Sequence, residues 1–390
     1  MSILEKRTVL LNAVFNLSST FSSLFLSVYL FVYAKSLPLM CVYTIIRISL
    51  FPIFSIIGAK LVKKHSFTLT FSLGLVLIAS SLLYALLATS LFEISPYYVL
   101  VAAFLTGMGE GLYWFSCNAC NQLVSNPESR ARFLSMVGIF NGIAAVLAPI
   151  IASIIISHSE SDLNAYRIIL IIIFILYLVV SYISLLIRVK SKDEKYDLKE
   201  AFSFKDIMWR DHSLAVLIYG FRNSLTLVLA GLLVYNAAGD GGTYSKLQIL
   251  FAIINILSFV FLTKALRKEY VNITFIFGVI IAILSMSTLV LFNNIYGAIF
   301  YGVTNAMCSS FYDNSYNYFS ANIISNYKSD MVARVVVRET SLSIGRCLGM
   351  GLIVLFYFIL PNDLYLKVSV ILLSLTSIFV YTILIKYKKD

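Results

Sequence analysis

The sequence predicts an all-α integral membrane protein whose twelve transmembrane helices form two pseudo-symmetric six-helix bundles. Three observations support this fold class. Hydrophobic residues make up 60% of the 390 residues and charged residues only 13%, which is too little charge to cover a water-soluble surface. The apolar stretches are long and continuous, as in membrane helices, and do not alternate as barrel strands do. A charged segment at 189–212 divides these stretches into two sets of six.

Each membrane helix is predicted from an apolar run of about 20 residues or more, the length that crosses a bilayer. The first run is too long for a signal peptide and lacks a small-residue cleavage site, so we expect it to be retained. The N-terminal bundle is then 1–188, the cytoplasmic linker 189–212 and the C-terminal bundle 213–390. The predicted spans are 9–33, 37–59, 67–90, 96–124, 133–157, 164–188, 213–237, 244–264, 271–292, 294–323, 335–359 and 364–386.

Basic residues are concentrated in alternate loops. If the N-terminus is inside, 22 of the 30 basic residues lie in cytoplasmic loops and tails, and only Lys35, Arg167, Lys246 and Lys367 lie opposite. The positive-inside rule therefore predicts two cytoplasmic termini, and we expect a multi-pass protein of the plasma membrane. The net charge of +11 reflects this topology and does not indicate nucleic-acid binding. The lipid bilayer is the expected partner, and one chain is large enough to work as a monomer.

The cysteines do not indicate a redox or metal site. Cys117 and Cys120 have the spacing of such a pair, but all five cysteines fall within predicted spans and no histidine is near them. We interpret them as small apolar residues in packed helices. With three histidines in the chain, we expect no metal ion, no cofactor and no catalytic residue.

Seven charged residues lie inside the predicted spans. On insertion scales each costs roughly 2.5–3.5 kcal/mol at mid-bilayer, so each has to face a protein interior or a watery cavity. Four are basic and three are acidic, which allows near-complete pairing. The seven are Arg47, Glu110, Arg222, Asp313, Arg338, Glu339 and Arg346.

Polar side chains also recur at helical spacing in four spans. Residues three and four positions apart share one face of a helix. Four polar faces inside an apolar protein predict a polar cavity within the membrane. The faces comprise Asn12, Asn16, Ser19, Ser23 and Ser27 in the first span; Glu110, Trp114, Cys117, Asn118 and Asn121 in the fourth; Tyr219, Arg222 and Thr226 in the seventh; and Ser309, Asp313, Tyr316, Asn317 and Ser320 in the tenth.

The intramembrane acids suggest proton coupling. Desolvation disfavours an ionised carboxyl group, so Glu110 and Asp313 could load and release a proton near neutral pH, with a nearby arginine released or captured at each change. Arg346 and Glu339 lie seven residues apart on one face of the eleventh span. Arg346 either neutralises Asp313 or Glu339 or binds an anionic group of the substrate, and Arg338 could reach the headgroups. For all seven charges, including Arg47, the alternative is a structural ion pair.

The two halves carry a weak repeat, and the whole chain resembles a transporter of the major facilitator superfamily. A shift of 203 residues places Glu110 on Asp313 and Tyr113 on Tyr316. Twelve spans, a charged central loop and two inside termini are also typical of that superfamily. Each half would then be one repeat of a transporter that works by alternating access.

Local motifs carry the same resemblance in altered form. Residues 58–67, GAKLVKKHSF, match the family loop after span two but lack its aspartate. Residues 104–111, FLTGMGEG, keep the glycines of span four, with Ala103 at the position of the family's arginine. Residues 138–153, GIFNGIAAVLAPIIAS, are similar to the glycine-rich stretch of the family's antiporters and keep Pro149. Close helix packing by small residues is the alternative for that stretch.

The resemblance implies a central cavity lined by spans one, four, seven and ten. It therefore supports Glu110, Asp313, Asn317 and Arg222 as cavity residues. We expect a secondary transporter, with proton-coupled efflux of a small amphiphilic compound or metabolite. Proton-coupled uptake of a sugar-like solute and flipping of a glycolipid are alternatives, because aromatic side chains near the acids suit all three. These are Trp114, Tyr113, Tyr312, Tyr316 and Tyr318.

Two other classes fit less well. A membrane-embedded enzyme could use the intramembrane acids and arginines, but the sequence offers no nucleophile–histidine pair, no metal cluster and no loop long enough for a catalytic lid. A sensor with a transporter body would need a signalling domain, which we do not find. The sequence therefore favours a transporter over an enzyme.

Overall fold

The chain forms two compact helical units, Met1–Tyr196 and Asp197–Asp390. The structure, a computed structural model, describes residues 2–64, 66–124, 130–186, 198–227, 229–265, 271–326, 331–361 and 364–387. All regular secondary structure in these ranges is helical. The all-α fold class is therefore confirmed.

The first unit contains seven α-helices. The first of them begins with a capping box, in which Ser2 and Glu5 satisfy each other's backbone N–H groups. A short 3₁₀ turn, Pro96–Tyr98, leads into the fifth. The helices are α1 Ile3–Ala34, α2 Leu37–Lys64, α3 Phe67–Leu87, α4 Thr89–Ile94, α5 Val99–Val124, α6 Arg130–Ser157 and α7 Asp162–Ser184.

The second unit contains ten α-helices, because several spans are interrupted. A π-helical turn, Ser309–Asp313, separates two of them, and a 3₁₀ turn, Ile385–Tyr387, ends the last. The helices are α8 Leu198–Ala201, α9 Ile207–Leu227, α10 Leu229–Ala238, α11 Gly241–Ala265, α12 Val271–Leu291, α13 Ile295–Cys308, α14 Asn314–Asn326, α15 Met331–Ile359, α16 Leu364–Leu375 and α17 Ser377–Leu384.

Every predicted span coincides with one helix or with a run of successive helices. Ten helical stretches among the described residues are long and apolar enough to cross a membrane. The seventh span begins at Ile207 rather than near residue 213, so the end of the predicted linker is helical. The first part of that linker, residues 189–197, lies outside the described residues. The tenth span is α13, the π-helical turn and α14 in succession.

Glycines set the closest helix contacts in the first unit. Helix α5 packs along both α2 and α3. A side chain at Gly107 would collide with the backbone carbonyl of Arg47, and one at Gly109 would lie 2.6 Å from the carbonyl oxygen of Gly74. The glycine run of span four therefore lets α5 approach both neighbours closely, which fixes the position of Glu110 between them.

The second unit uses the same device between α9 and α15, its most extensive helix pair. A side chain at Gly345 would collide with the carbonyl of Leu217, and one at Gly220 with that of Leu342. On the other side of α9, an apolar core surrounds Tyr312 at the π-helical turn. The polar residues of α9 thus lie between α15 and the tenth span.

Candidate substrate and proton site

Glu110 of α5 and Arg47 of α2 form a tight ion pair in the first unit. Arg47 Nε donates to Glu110 Oε2 at 2.7 Å and Nη2 donates to Oε1 at 2.5 Å, so the contact is bidentate. The two side chains keep 24% and 14% of their exposed area. Two parallel charge-assisted hydrogen bonds hold both groups in one geometry and satisfy the carboxylate on both oxygens.

Helices α1, α5 and α6 share a polar network beside this pair. Asn12 Nδ2 donates to Asn121 Oδ1 at 3.0 Å, and the Cys117 thiol donates to Asn12 Oδ1 at 3.1 Å. Asn16 is hydrogen-bonded to Asn141 of α6. Asn12 of the first span therefore bonds the fourth span and Asn16 bonds α6. The hydroxyls of Ser23 and Ser27 donate to backbone carbonyls of their own helix.

Trp114, a predicted site residue of the fourth span, lies in an aromatic cluster. Trp114 meets Phe15 edge-on, with ring centroids 5.3 Å apart, and meets Tyr113 at 5.6 Å. Trp114 and Asn118 are both half-buried. This part of α5 combines an apolar wall with amide groups, as the sequence analysis proposed for a cavity wall.

Asp313 of the second unit is held more loosely than Glu110. Arg222 Nη1 lies 3.6 Å from Asp313 Oδ1, which is beyond ordinary hydrogen-bond length, and the Asp313 side chain keeps 29% of its exposed area. The Tyr219 hydroxyl donates to the same oxygen at 3.0 Å. Asp313 ends the π-helical turn, and turns of this kind are frequent at functional sites.

Arg222 is almost fully buried and has contacts besides Asp313. It is 2% exposed, its Nη2 donates to Cys308 Sγ at 3.0 Å, and its guanidinium lies 4.7 Å from the centre of the Tyr312 ring. A cation over an aromatic face is attracted by the ring quadrupole. Arg222 therefore keeps favourable contacts that do not depend on the charge of Asp313.

The remaining predicted residues of the tenth span differ in burial. Tyr316 is buried and stacks on Tyr219 with ring centroids 3.9 Å apart, whereas Asn317 is exposed. Ser320 is buried and bonds His212 Nε2 at 2.8 Å. Tyr316 and Ser320 thus pack inside the second unit, while Asn317 and Asp313 keep access to its surface.

The charges of α15 have partners that the sequence did not specify. Arg338 Nη1 donates to Glu339 Oε1 at 2.7 Å, so Arg338 bonds its neighbour in the chain. Arg346 Nε donates to Asn223 Oδ1 of α9 at 3.0 Å. The two acids that were candidates to neutralise Arg346 also have other arginine neighbours: Glu339 bonds Arg338, and Asp313 lies near Arg222.

Sequence reasoning missed three residues of these clusters. Asn141 and Asn223 were not predicted as members of these clusters, because a single amide in an apolar helix forms no periodic pattern. Cys308 was interpreted as packing, although it accepts a hydrogen bond from Arg222. Asn223 had one signal: it follows Arg222 and therefore points about 100° away around α9, towards a different helix. Among the described residues, no three His, Cys, Asp or Glu side chains are grouped to hold a metal ion.

Helices that span the membrane, with ion pairs buried in both six-span halves, define a polytopic transport protein rather than a receptor domain or a soluble fold. The family model described as Major Facilitator Superfamily matches residues 7–350, and the chain belongs to that superfamily. Because the family consists of transporters, the expectation of a transporter rather than an enzyme is confirmed. The chain is a multi-pass membrane transporter that acts on a small molecule.

The chain is also similar to two bacterial proteins whose descriptions name no substrate. It is 21% identical over 377 residues to the uncharacterized protein YqgE of Bacillus subtilis (strain 168), covering 95% of this chain and 86% of the relative. It is also 28% identical over 141 residues to an uncharacterized protein from the sodM 3' region of Geobacillus stearothermophilus, over 36% of this chain and 64% of that protein.

Solved transporters share the fold. The nucleoside transporter NupG aligns over 100% of both chains with a TM-score of 0.70 and 11% identity. A bacterial homologue of the iron transporter ferroportin, in its outward-facing state, aligns over 99% of both with a TM-score of 0.67 and 14% identity. FucP in its outward conformation aligns over 100% of this chain and 99% of the FucP chain, with a TM-score of 0.64 and 17% identity. At these identities the likeness concerns the fold alone.

Proposed function

We propose that the chain is a proton-coupled exporter of a small amphiphilic compound or metabolite, with Asp313 as the proton carrier. The observation that carries this proposal is the contrast between its two matched acids. Glu110 is bound on both oxygens by Arg47 at 2.5 and 2.7 Å. Asp313 has Arg222 only at 3.6 Å and keeps 29% exposure. A proton reaches a loosely held, accessible carboxylate more readily than a bidentate one.

Protonation of Asp313 would change the forces on Arg222. The charge attraction across 3.6 Å disappears when the carboxylate is neutral. Arg222 retains its contacts with Cys308 and with the Tyr312 ring, although its buried Nε has no hydrogen-bond partner in the described part of the chain. Tyr219 can still donate to one oxygen of the protonated acid. The cluster thus has two arrangements that differ by one proton, which is what coupling requires.

Efflux is favoured over uptake by the stretch 138–153. The packing alternative predicts a close neighbour at Gly142, yet a side-chain carbon built there meets no atom within 4 Å, whereas Gly345 at the matching position meets the carbonyl of Leu217. Gly142 itself therefore has no close neighbour among the described residues, although Ala144, Ala148 and Ala152 of the same stretch are buried, and the argument for efflux is the resemblance to the family's antiporters. The helix keeps Pro149 within it.

Aromatic rings near Asp313 suit an amphiphilic substrate. Tyr219 stacks between Tyr316, at 3.9 Å, and Tyr312, at 6.0 Å. Such rings also suit the flat faces of sugars, so uptake of a sugar-like solute stays the second candidate, followed by flipping of a glycolipid. For the whole chain we propose a monomer in the plasma membrane with both termini in the cytoplasm. We also propose that it works by alternating access of two bundles, 1–188 and 213–390, which are joined by the linker 189–212.

Inside-out membrane vesicles with an acidic lumen and an internal pH dye test the proposal. The probes are two pairs of compounds with matched skeletons: benzenesulfonate with benzenesulfonamide, and glucuronate with glucose. We expect at least one probe to dissipate the pH gradient in wild-type vesicles. Asp313→Asn should abolish this response and Glu110→Gln should retain most of it, because only the loosely held acid exchanges its proton.

Control vesicles carry no transporter and correct for passive leakage of the probes. A response that Asp313→Asn leaves intact, with unchanged pH dependence, would show that Asp313 does not carry the proton. A response to glucuronate or glucose alone would indicate that a sugar-like solute is exported in exchange for protons, because proton-coupled uptake would not dissipate the gradient in these vesicles. Absence of any gradient-linked response in wild-type vesicles would count against proton-coupled export of these skeletons.

A further inference from the structure

Two half-buried side chains of α5 have polar groups that remain free within the described part of the chain. The Trp114 indole N–H has no acceptor there, and the Asn118 carboxamide has neither a donor nor an acceptor. The contacts of Trp114 are with the rings of Phe15 and Tyr113. Because Trp114 and Asn118 are four positions apart, they lie one turn apart on the same face of α5.

Acyl chains of the bilayer cannot satisfy these groups. Trp114 and Asn118 belong to Pro96–Asn118, a stretch that is long and apolar enough to cross a membrane. A polar group that faces hydrocarbon without a partner costs several kcal/mol. On the same face of α5, the Cys117 thiol donates to Asn12 of α1. The face is therefore turned towards polar surroundings, and its free groups are available to water or to a ligand.

Helices α1 and α6 add a pair of amides beside this face. Asn16 and Asn141 are hydrogen-bonded through one amide nitrogen and one amide oxygen. Whichever way each amide is turned, one oxygen and one NH₂ group of the pair are not used by this bond. Asn141 is exposed, and a side-chain carbon built at the next residue, Gly142, meets no atom within 4 Å. The pair therefore borders open space.

The polar groups of α1 and α5 lie side by side. Asn12, one turn before Asn16, accepts a hydrogen bond from Cys117 of α5 at 3.1 Å. The ring of Phe15 meets that of Trp114 with centroids 5.3 Å apart. Three helices thus contribute to one surface, which we name the amide surface and which comprises Asn16, Trp114, Asn118 and Asn141.

The amide surface consists of neutral side chains. The charged residue on this face of α5 is Glu110, one turn before Trp114, and Arg47 binds both of its carboxylate oxygens. As a pair these two residues present no net charge. A charged ligand group would lose its hydration here without gaining a counter-charge. A neutral group that both donates and accepts hydrogen bonds matches carboxamides, which do both.

We propose that the amide surface binds a glycosyl group, so that the amphiphilic substrate is a neutral glycoside. This inference rests on the proposed transport function and specifies the substrate class of its site. The apolar face of a sugar ring packs on an indole, and its hydroxyls point outwards around the ring, where amides from three helices can meet them. A planar nucleobase presents its polar groups in a single plane and suits this arrangement less well.

Thermal unfolding of the purified full-length chain tests this inference without any transport step. The detergent is a polyoxyethylene ether, because maltoside detergents are themselves glycosides and would compete. The probes share a hexyl chain and differ in the head group: glucosyl, tetrahydropyranyl (the same ring without hydroxyls), uracil, sulfate and trimethylammonium. We expect hexyl glucoside to raise the Tm saturably, with a half-saturating concentration at least about tenfold below those of the other probes.

Variants of the amide surface show whether this is where the glucoside binds. Asn118→Ala should raise the half-saturating concentration of hexyl glucoside about fivefold, and Trp114→Phe, which keeps a ring but loses the N–H, about threefold. Asn118 has no hydrogen bond within the described chain, so Asn118→Ala should leave the Tm without probe unchanged. Asn164→Ala removes an exposed amide of α7 as a matched control and should leave the titration unchanged.

A change of specificity separates recognition from a structural role. Asn118→Asp keeps the shape of the side chain and adds a negative charge. It should weaken hexyl glucoside and make hexyltrimethylammonium the tighter ligand, because the surface then offers a counter-charge. In a Trp209→Phe background, hexyl glucoside should also change the fluorescence of Trp114, which places the ligand beside that ring.

The inference is overturned if hexyl glucoside binds no more tightly than the tetrahydropyranyl ether, or if a charged probe or hexyluracil binds best. Binding of hexyl glucoside to Asn118→Ala as to the wild type would also overturn it. None of these results bears on proton coupling, which is measured in vesicles with Asp313→Asn. Conversely, glucoside binding through Asn118 combined with a pH-independent vesicle response would refute the coupling and leave the glycosyl site standing.

Discussion

Glu110→Gln and Asp313→Asn are matched changes, and the structure predicts that they have unequal effects on stability. Each removes one negative charge and keeps an oxygen that can accept a hydrogen bond. At Glu110 the change ends a bidentate ion pair and leaves Arg47, 24% exposed, without its counter-charge. At Asp313 it ends an attraction across 3.6 Å between groups that do not share an ionic hydrogen bond.

The magnitudes follow from these contacts. Removing one partner of a buried ion pair costs about 3–5 kcal/mol, and the partial exposure of Arg47 and Glu110 reduces this to about 2–3 kcal/mol. The looser contact of Asp313 is worth about 0.5–1 kcal/mol, because the buried Arg222 keeps its contacts with Cys308 and the Tyr312 ring when the carboxylate is removed. For a body of this size each kcal/mol lowers the Tm by about 2–4 °C, so we expect a loss of about 4–12 °C for Glu110→Gln and at most about 4 °C for Asp313→Asn.

The chain carries a fluorescent reporter in each unit, which makes the assay specific. Its two tryptophans are Trp114 in the first unit and Trp209 in the second. Unfolding is therefore followed by Trp114 in a Trp209→Phe background for Glu110→Gln, and by Trp209 in a Trp114→Phe background for Asp313→Asn. Each shift is measured against its own background.

A double variant separates the ion pair from other effects. Arg47→Gln together with Glu110→Gln leaves no unpaired charge, so it should recover at least half of the Tm lost in Glu110→Gln. Equal shifts for the two acids, or a double variant no more stable than Glu110→Gln, would refute the contrast between a clamped and a loosely held carboxylate.

Two predictions concern helix packing and capping. Gly345→Leu should prevent α9 and α15 from packing, because the new side chain would meet the Leu217 carbonyl. Gly351→Leu, on the same helix, places its side chain in open space and should be tolerated. The yield of monodisperse protein in detergent compares the two variants, and equal yields would contradict the packing of α9 against α15. Hydrogen bonds from Thr243 lower the pKa of Asp240 at the start of α11, so its stabilisation is present above about pH 4 and is lost as the pH falls through the folded-state pKa. Asp240→Ala should therefore cost about 1 kcal/mol at neutral pH and nothing in acid, and a pH-independent difference would contradict this.

The helices were predictable from the sequence because the bilayer imposes their length and composition. The structure moves the start of the seventh span to Ile207, where charged residues still allow a helix to form outside the hydrocarbon layer. The π-helical turn at Ser309–Asp313 was not predictable. It arises where Gly278 of α12 brings that helix against the backbone of Tyr312, a tertiary contact that no local pattern encodes.

The site was predictable in its residue types but not in its partners. Burial cost alone marked Arg47, Glu110, Arg222 and Asp313 as residues that must face protein or water. Which arginine meets which acid depends on the rotation and depth of packed helices, and hydropathy contains neither. Tyr316 is buried although helical spacing predicted that it shares a face with Asp313, because its ring stacks on Tyr219 of α9, a tertiary contact that spacing does not contain.

The half-repeat explains why two matched acids can have different tasks. The shift of 203 residues superposes Glu110 on Asp313, yet it places Arg47 on Leu250 and Arg222 on Ser19. The repeat therefore preserves the acids and not their arginines, and each half has acquired its partner from a different helix. Because only the partner of Asp313 stands off at 3.6 Å, we expect a single proton per transport cycle, with Glu110 and Arg47 serving to fix α5 against α2. If two protons were carried per cycle, the bidentate pair of Arg47 and Glu110 would have to open in every cycle. The free-energy cost of opening it is what the loss of stability in Glu110→Gln measures.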